Sequence, residues 1–132
     1  MRDRQLILIV EDDADSYELY SDFLASAGYA IAGANNGVDA ISSALKLVPD
    51  LVLMDLALPG LNGLEAARRI RNDARTRHVP IIALSGMVLD GYIEAARLAG
   101  CELFLEKPCP LKWLLFEIRR RLGVPLADGA SG

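Results

Sequence analysis

Histidine is nearly absent. His78 stands alone among 132 residues, and cysteine occurs only as Cys101 and Cys109. Structural zinc is held mainly by those two residue types, and this set assembles no zinc-ligand spacing. Two thiols with no framework of further cysteines fit a reducing compartment, so the chain reads as cytoplasmic. Basic charge is not in excess either. Fourteen Lys and Arg face 18 Asp and Glu, a formal net charge of -4. Non-specific nucleic-acid binding, which rests on neutralising phosphates, has a poor footing here. Long hydrophobic runs are missing too. The opening "MRDRQLILIV" meets an acidic stop after an apolar stretch too short for a signal peptide or a membrane span.

What is present is apolar residues, 52% of a chain long enough to bury one core. They gather in five short runs: "LILIV" (6–10), "YAIAGA" (29–34), "LVLMD" (51–55), "PIIALS" (80–85) and "ELFLE" (102–106). Near-continuous runs of this length mark strands covered on both faces, as in a parallel sheet. Amphipathic stretches between them predict helices. Residues 15–27 put Tyr20, Phe23, Leu24 and Ala27 on one face and end at Gly28. Residues 37–47 carry Val38, Ile41, Leu45 and Val48 at helical spacing before Pro49. Asn62 caps a helix over 63–72, a fourth spans 89–99 up to Gly100, and a fifth spans 110–122 from Pro110 to Gly123. Five strand–helix units predict an α/β fold, (βα)5, with helices on both faces of one parallel sheet. The reading is one domain over 1–123, with 124–132 a loose tail or the start of a severed linker.

In such a sheet the working site lies beyond the carboxyl ends of the strands. The first strand ends in Glu11, Asp12 and Asp13, the third in Asp55, the fourth in Ser85 and Gly86, the fifth in Glu106, Lys107 and Pro108. Carboxylates about 5 Å apart repel by roughly 3 kcal/mol at an effective dielectric near 20. Lys107 offsets part of that. A divalent cation with hard oxygen ligands, Mg²⁺, offsets the rest, with Asp12 and Asp13 holding it. Asp55 is then placed to act as a nucleophile that forms an aspartyl phosphate. Lys107 and the metal stabilise charge on the transferring group, Ser85 hydrogen-bonds a phosphoryl oxygen, and Gly86 leaves space beside it. Pro59 and Gly63 shape the turn after Asp55.

The constellation "EDD" (11–13), "DLALPGLNG" (55–63), "LSG" (84–86) and "LEKP" (105–108) resembles the response-regulator receiver domain, the CheY-like member of the flavodoxin-like folds. The resemblance implies strand order 2-1-3-4-5. It implies phosphoryl transfer from a sensor histidine kinase or a histidine phosphotransfer protein, with Asp55 as acceptor. It also implies Mg²⁺ at Asp12, Asp13, Asp55 and the backbone carbonyl of Ala57. Ser85 stands where the family has Thr or Ser, Lys107 where it has its lysine, with the bond to Pro108 expected to be cis. Phe104 stands at the aromatic switch position. Phosphorylation would draw Ser85 inward, Phe104 would fill the vacated space, and the face of the fourth helix, fifth strand and fifth helix would change its downstream protein partner. Non-acidic Ala57 and Met87, at positions that tune dephosphorylation in the family, imply a phosphoryl lifetime that is not unusually short.

Plainer readings stand beside these. "EDDADS" alone reads as a helix start, because acids favour helix N-termini. The arginines of 68–71 and 119–121 complement predicted helix C-termini better than they mark a nucleic-acid patch. A phosphatase with an aspartyl nucleophile would need a second acid at position 57, where Ala stands. A nucleotide module would need a Gly-rich loop where "EDDADS" stands. The protein reads as a switch with self-phosphorylation and hydrolysis chemistry, not as a turnover enzyme. Its alternative is a degenerate receiver used only as a scaffold. Nothing after Gly123 resembles an effector, so the chain reads as a stand-alone receiver or one excised from a larger regulator. Trp113 and Phe116 fall opposite the apolar face made by Leu111, Leu114, Leu115, Ile118 and Leu122, which marks an interface with a partner or a second copy.

Overall fold

The computed structural model describes residues 4–58, 62–86 and 91–125. In chain order it places β1 (Leu6–Val10), α1 (Ala14–Ser26), β2 (Ala30–Ala34), α2 (Gly37–Leu47), β3 (Leu51–Asp55), α3 (Gly63–Asn72), β4 (Ile81–Ser85), α4 (Tyr92–Leu98), β5 (Leu103–Glu106) and α5 (Leu111–Leu122). All strand pairs are parallel, in the order β2-β1-β3-β4-β5. Every residue of β1, β3 and β4 is buried, while β2 and β5 are partly exposed edges. Central strands flanked by helices on both faces need unbroken apolar runs, which is what they have.

Alternate residues of each strand feed two cores. Leu8, Val10, Val52, Met54, Ile81 and Ala83 pack on one side of the sheet with alanines of α2 and α3. Ile7, Ile9, Leu51, Leu53, Ile82 and Leu84 pack on the other with Leu24 of α1 and Leu114 and Ile118 of α5.

The face of α2 differs from its periodicity. Val38 is 63% exposed, whereas Ala40 and Ala44 are fully buried, with Ile41 and Leu45 half-buried. The helix packs on α3, whose facing residues include Ala66 and Ala67. Small side chains let two helices approach closely, so the buried stripe follows the alanines rather than the large aliphatics. Val48 closes α2 in a left-handed conformation, φ 45°, just before Pro49.

The arginine clusters are largely committed. Arg71 donates to the Gly100 and Arg77 carbonyls, tying the end of α3 to the turn before β5. Arg68 pairs with Glu65, and Arg120 and Arg121 with Glu117. No described helix is long and apolar enough to cross a membrane. Pro59, Met87 and the beginning of the predicted fourth helix lie outside the described residues.

Candidate functional site

The site forms because the central ladders run one step beyond their strands. The Glu11 N–H donates to the Ala34 carbonyl, continuing β1 on β2, and the Lys107 N–H donates to the Ser85 carbonyl, continuing β5 on β4. One step past the Val10–Met54 pair come Glu11 and Asp55. These two carboxylates, although buried, therefore sit side by side at the sheet's carboxyl edge.

Lys107 answers both. Its Nζ lies 2.8 Å from Glu11 Oε1 and 2.9 Å from Asp55 Oδ2. The other oxygens are held as well: Asp55 Oδ1 accepts from the Ala57 N–H at 2.9 Å, and Glu11 Oε2 from the Asp13 N–H at 3.2 Å. Burial pushes the Glu11 carboxyl above its ordinary range, against the opposing pull of Lys107 and the Asp13 amide. Burial works against the Lys107 charge, but its hydrogen bonds to Glu11 and Asp55 and their negative charges prevail and hold the ammonium above its ordinary value.

Glu11, Asp12 and Asp55 each present an oxygen within 4.8 Å of the others. Three hard carboxylate donors beside an open edge fit a small divalent cation. Asp13 is not in this group. Its carboxylate turns away to cap α1, accepting from the Ser16 N–H at 2.9 Å and the Ser16 hydroxyl at 2.7 Å. These bonds hold the Asp13 carboxyl below its ordinary range. Of the acid pair expected at Asp12 and Asp13, the structure groups only Asp12 with Asp55, and Glu11 joins it. The cause is local: Asp13 directly precedes a helix beginning at Ala14, whose first N–H groups need an acceptor. The plainer helix-start reading holds for Asp13 alone.

Ser85 is fully buried at the tip of β4, and Gly86 beside it is exposed, with nothing within 4 Å of where a Cβ would stand. The Lys107–Pro108 bond is cis. Phe104 is half-buried and meets Tyr92 edge to face, ring centroids 6.0 Å apart. Trp113 and Phe116 are 54% and 55% exposed on α5, their rings 6.3 Å apart, with the Arg120 guanidinium 5.8 Å over Phe116.

Gly63 matters through close approach. A Cβ there would stand 2.6 Å from the Leu56 Cα and 2.8 Å from the Asp55 carbonyl oxygen. The start of α3, capped by the Asn62 side chain, is therefore pressed onto the backbone that carries Asp55. Gly63→Ala is expected to cost about 2–3 kcal/mol in urea denaturation, because backbone cannot yield as a flexible side chain can. An unchanged midpoint would contradict this contact.

A family model described as the response regulator receiver domain matches residues 7–119. The chain belongs to that family. The polar-differentiation response regulator DivK of Brucella anthropi is 34% identical over 117 residues, covering 89% of this chain and 95% of that protein. The receiver domain of the sensor histidine kinase PA1611 from Pseudomonas aeruginosa, whose crystal structure has a magnesium ion coordinated in the active-site cleft, superimposes with TM-score 0.84 at 37% identity. That match covers 91% of this chain and 98% of that one. The chemotaxis response regulator CheY4 of Vibrio cholerae gives TM-score 0.83 at 25% identity, over 89% of this chain and 98% of that one. The receiver is thus a two-component signalling module, a phosphoacceptor rather than a catalytic enzyme, and membership in the family implies a histidine-kinase partner.

Proposed function

We propose that Asp55 of this receiver accepts a phosphoryl group from a phosphohistidine on a sensor kinase or phosphotransfer protein. The observation that supports this most is the pairing at neighbouring strand tips of Asp55 with Glu11, Asp12 and the bridging Lys107. An Asp55 carboxylate oxygen attacks phosphorus as the bond to the imidazole nitrogen breaks, and the imidazole leaves. Glu11, Asp12, Asp55 and the Ala57 carbonyl would hold Mg²⁺, which would supply positive charge to offset the carboxylates and the transferring group. The Lys107 ammonium meets the charge developing on the transferring group, and Ser85 donates to a phosphoryl oxygen. Borohydride reduction after phosphorylation, followed by peptide mass mapping, tests the assignment. An aspartyl phosphate becomes homoserine, and the changed residue should be Asp55. Modification at Asp12 or Asp13 instead would overturn it.

Output runs through the face of α4, β5 and α5. Ile93 and Leu98 of α4 are exposed, and so are Trp113 and Phe116 of α5, whose rings lie side by side. A downstream protein or a second copy of the chain is the partner for this face, in the cytoplasm on the evidence of two free thiols. Phe104 carries the switch. Phe104→Ala should keep phosphoryl uptake while weakening phosphorylation-dependent partner binding by about tenfold or more. Titration of the phosphorylated variant against the partner measures it, and unchanged binding would remove Phe104 from the switch.

A further inference from the structure

β2 is an edge strand without the usual defences of one. It pairs with β1 over five unbroken positions, and among the described residues no strand lies on its outer side. Its sequence, Ala30 to Ala34, holds no Lys and no Pro, and no bulge interrupts the register. The ladder decides which backbone groups are used. The Ala30 N–H donates to the Gln5 carbonyl, and the Ala34 carbonyl accepts from the Glu11 N–H. Ala30, Ala32 and Ala34 therefore face β1, and by alternation Ile31 and Gly33 turn their N–H and C=O groups outward. Gly33 is exposed and has no side chain to screen them. It has no room for one either, since a Cβ there would stand 2.6 Å from Tyr17 Cε1. This edge is the floor of a groove of about 820 Å³. One wall is a stripe of α1 with Glu18 and Asp22, the other a stripe of α2 with Asp39, Ser42 and Ser43. The three acids are exposed, and no Lys or Arg lines the groove.

We propose that the β2 edge takes an extended basic segment of a partner protein as a sixth strand. Backbone bonds to Ile31 and Gly33 hold the segment. Side chains of a strand alternate, so one set meets Glu18 and Asp22 of α1 and the other meets the α2 wall. Charge selects the occupant. A second copy of the chain would set its own acidic walls against these, in a protein whose formal net charge is already -4, and like charges face to face oppose association. Arg or Lys at alternate positions of an extended segment answers the same walls favourably. The surface is separate from the α4–β5–α5 face, because β2 and β5 are opposite edges of the sheet. A partner held at β2 leaves that face free.

The probe is an eight-residue peptide of alternating arginine and threonine, capped at both ends. It is titrated into the whole chain at low salt while backbone amides are followed by NMR. In the bound state the amides of Ile31 and Gly33 should exchange with solvent at least about tenfold more slowly, and that of Ala32, already bonded to β1, should change little. The double variant Glu18→Lys/Asp22→Lys, altered at two exposed positions, should melt near wild type and bind the peptide at least about tenfold more weakly. The same peptide with glutamate in place of arginine should not bind. Absence of binding by the arginine peptide, binding without protection of Ile31 and Gly33, or equal binding by the double variant would overturn the proposal. Protection of those two amides by rising protein concentration alone would overturn it in favour of a second copy. None of these readouts uses phosphorylation, so they stand apart from the acceptor reading.

Discussion

Magnesium stabilises the wild-type protein and Asp13→Ala, and fails to stabilise Asp12→Ala. The expectation follows from where the three consecutive acids point. Asp12 joins Glu11 and Asp55 in a group whose oxygens lie within 4.8 Å, whereas Asp13 is spent on the Ser16 N–H and hydroxyl. An ion that binds only the folded state adds RT ln(1 + [L]/Kd), about 1.4 kcal/mol at a concentration tenfold above its Kd. In a domain of this size that is a rise of about 5 °C in Tm. Asp13→Ala should begin from a lower Tm, having lost the cap of α1, yet gain the same increment. Asp12→Ala should start near wild type and gain little. Thermal melts with and without Mg²⁺ on the three proteins measure it. An increment lost in Asp13→Ala and kept in Asp12→Ala would restore the pair first read from the sequence.

Lys107→Ala is expected to lower stability by about 2–4 kcal/mol, to slow phosphoryl uptake by about 100-fold, and to enlarge the Mg²⁺ increment. Lys107 is the one cation in contact with Glu11 and Asp55 among the described residues. Removing one partner of a buried charge cluster is more costly than the cluster is worth, because the remaining charges stay in place. Two features moderate the cost. The Lys107 side chain is 23% exposed, so water already screens part of the interaction. Glu11 also has its carboxyl pushed up by burial, so it can take a proton. The raised Lys107 value sets the pH range. Its stabilising contribution is complete below the ordinary lysine value and is lost only as pH rises through the folded one, so it is fully present at neutral pH. Loss of an oriented donor to a transferring group typically costs two to three orders of magnitude in rate. Without the ammonium, the metal becomes the sole counter-charge, which enlarges its stabilising effect. Urea denaturation and quenched-flow uptake from a small phosphodonor measure these changes. An unchanged uptake rate would remove Lys107 from the reaction.

The strands are legible because β1, β3 and β4 are buried along their whole length, so composition alone marks them. The apolar runs overshoot by one residue at three strands: Tyr29, Pro80 and Glu102 precede β2, β4 and β5 without joining them. Asp55 stands out because it interrupts an apolar run at a strand tip, and Lys107 because it follows directly after the end of one. The division of labour within "EDD" is not. It depends on whether the ladder continues through Glu11, which a hydrogen bond to the Ala34 carbonyl decides and residue type does not. The signal that does exist is the spacing of Asp13 and Ser16, an acid three residues before a hydroxyl at the head of an amphipathic stretch. On α2 the large aliphatics mislead because the close contact with α3 selects alanines.

The central claim is tested most directly by intact-mass spectrometry after incubation with a small phosphodonor, with and without Mg²⁺, on wild type and Asp55→Asn. The account predicts the gain of one phosphoryl group by the wild type in Mg²⁺, little without the ion, and none by Asp55→Asn under either condition. Phosphoryl uptake by Asp55→Asn equal to wild type, or no uptake by the wild type from either the small donor or a phosphorylated histidine kinase, would contradict it and leave a receiver that serves as a scaffold.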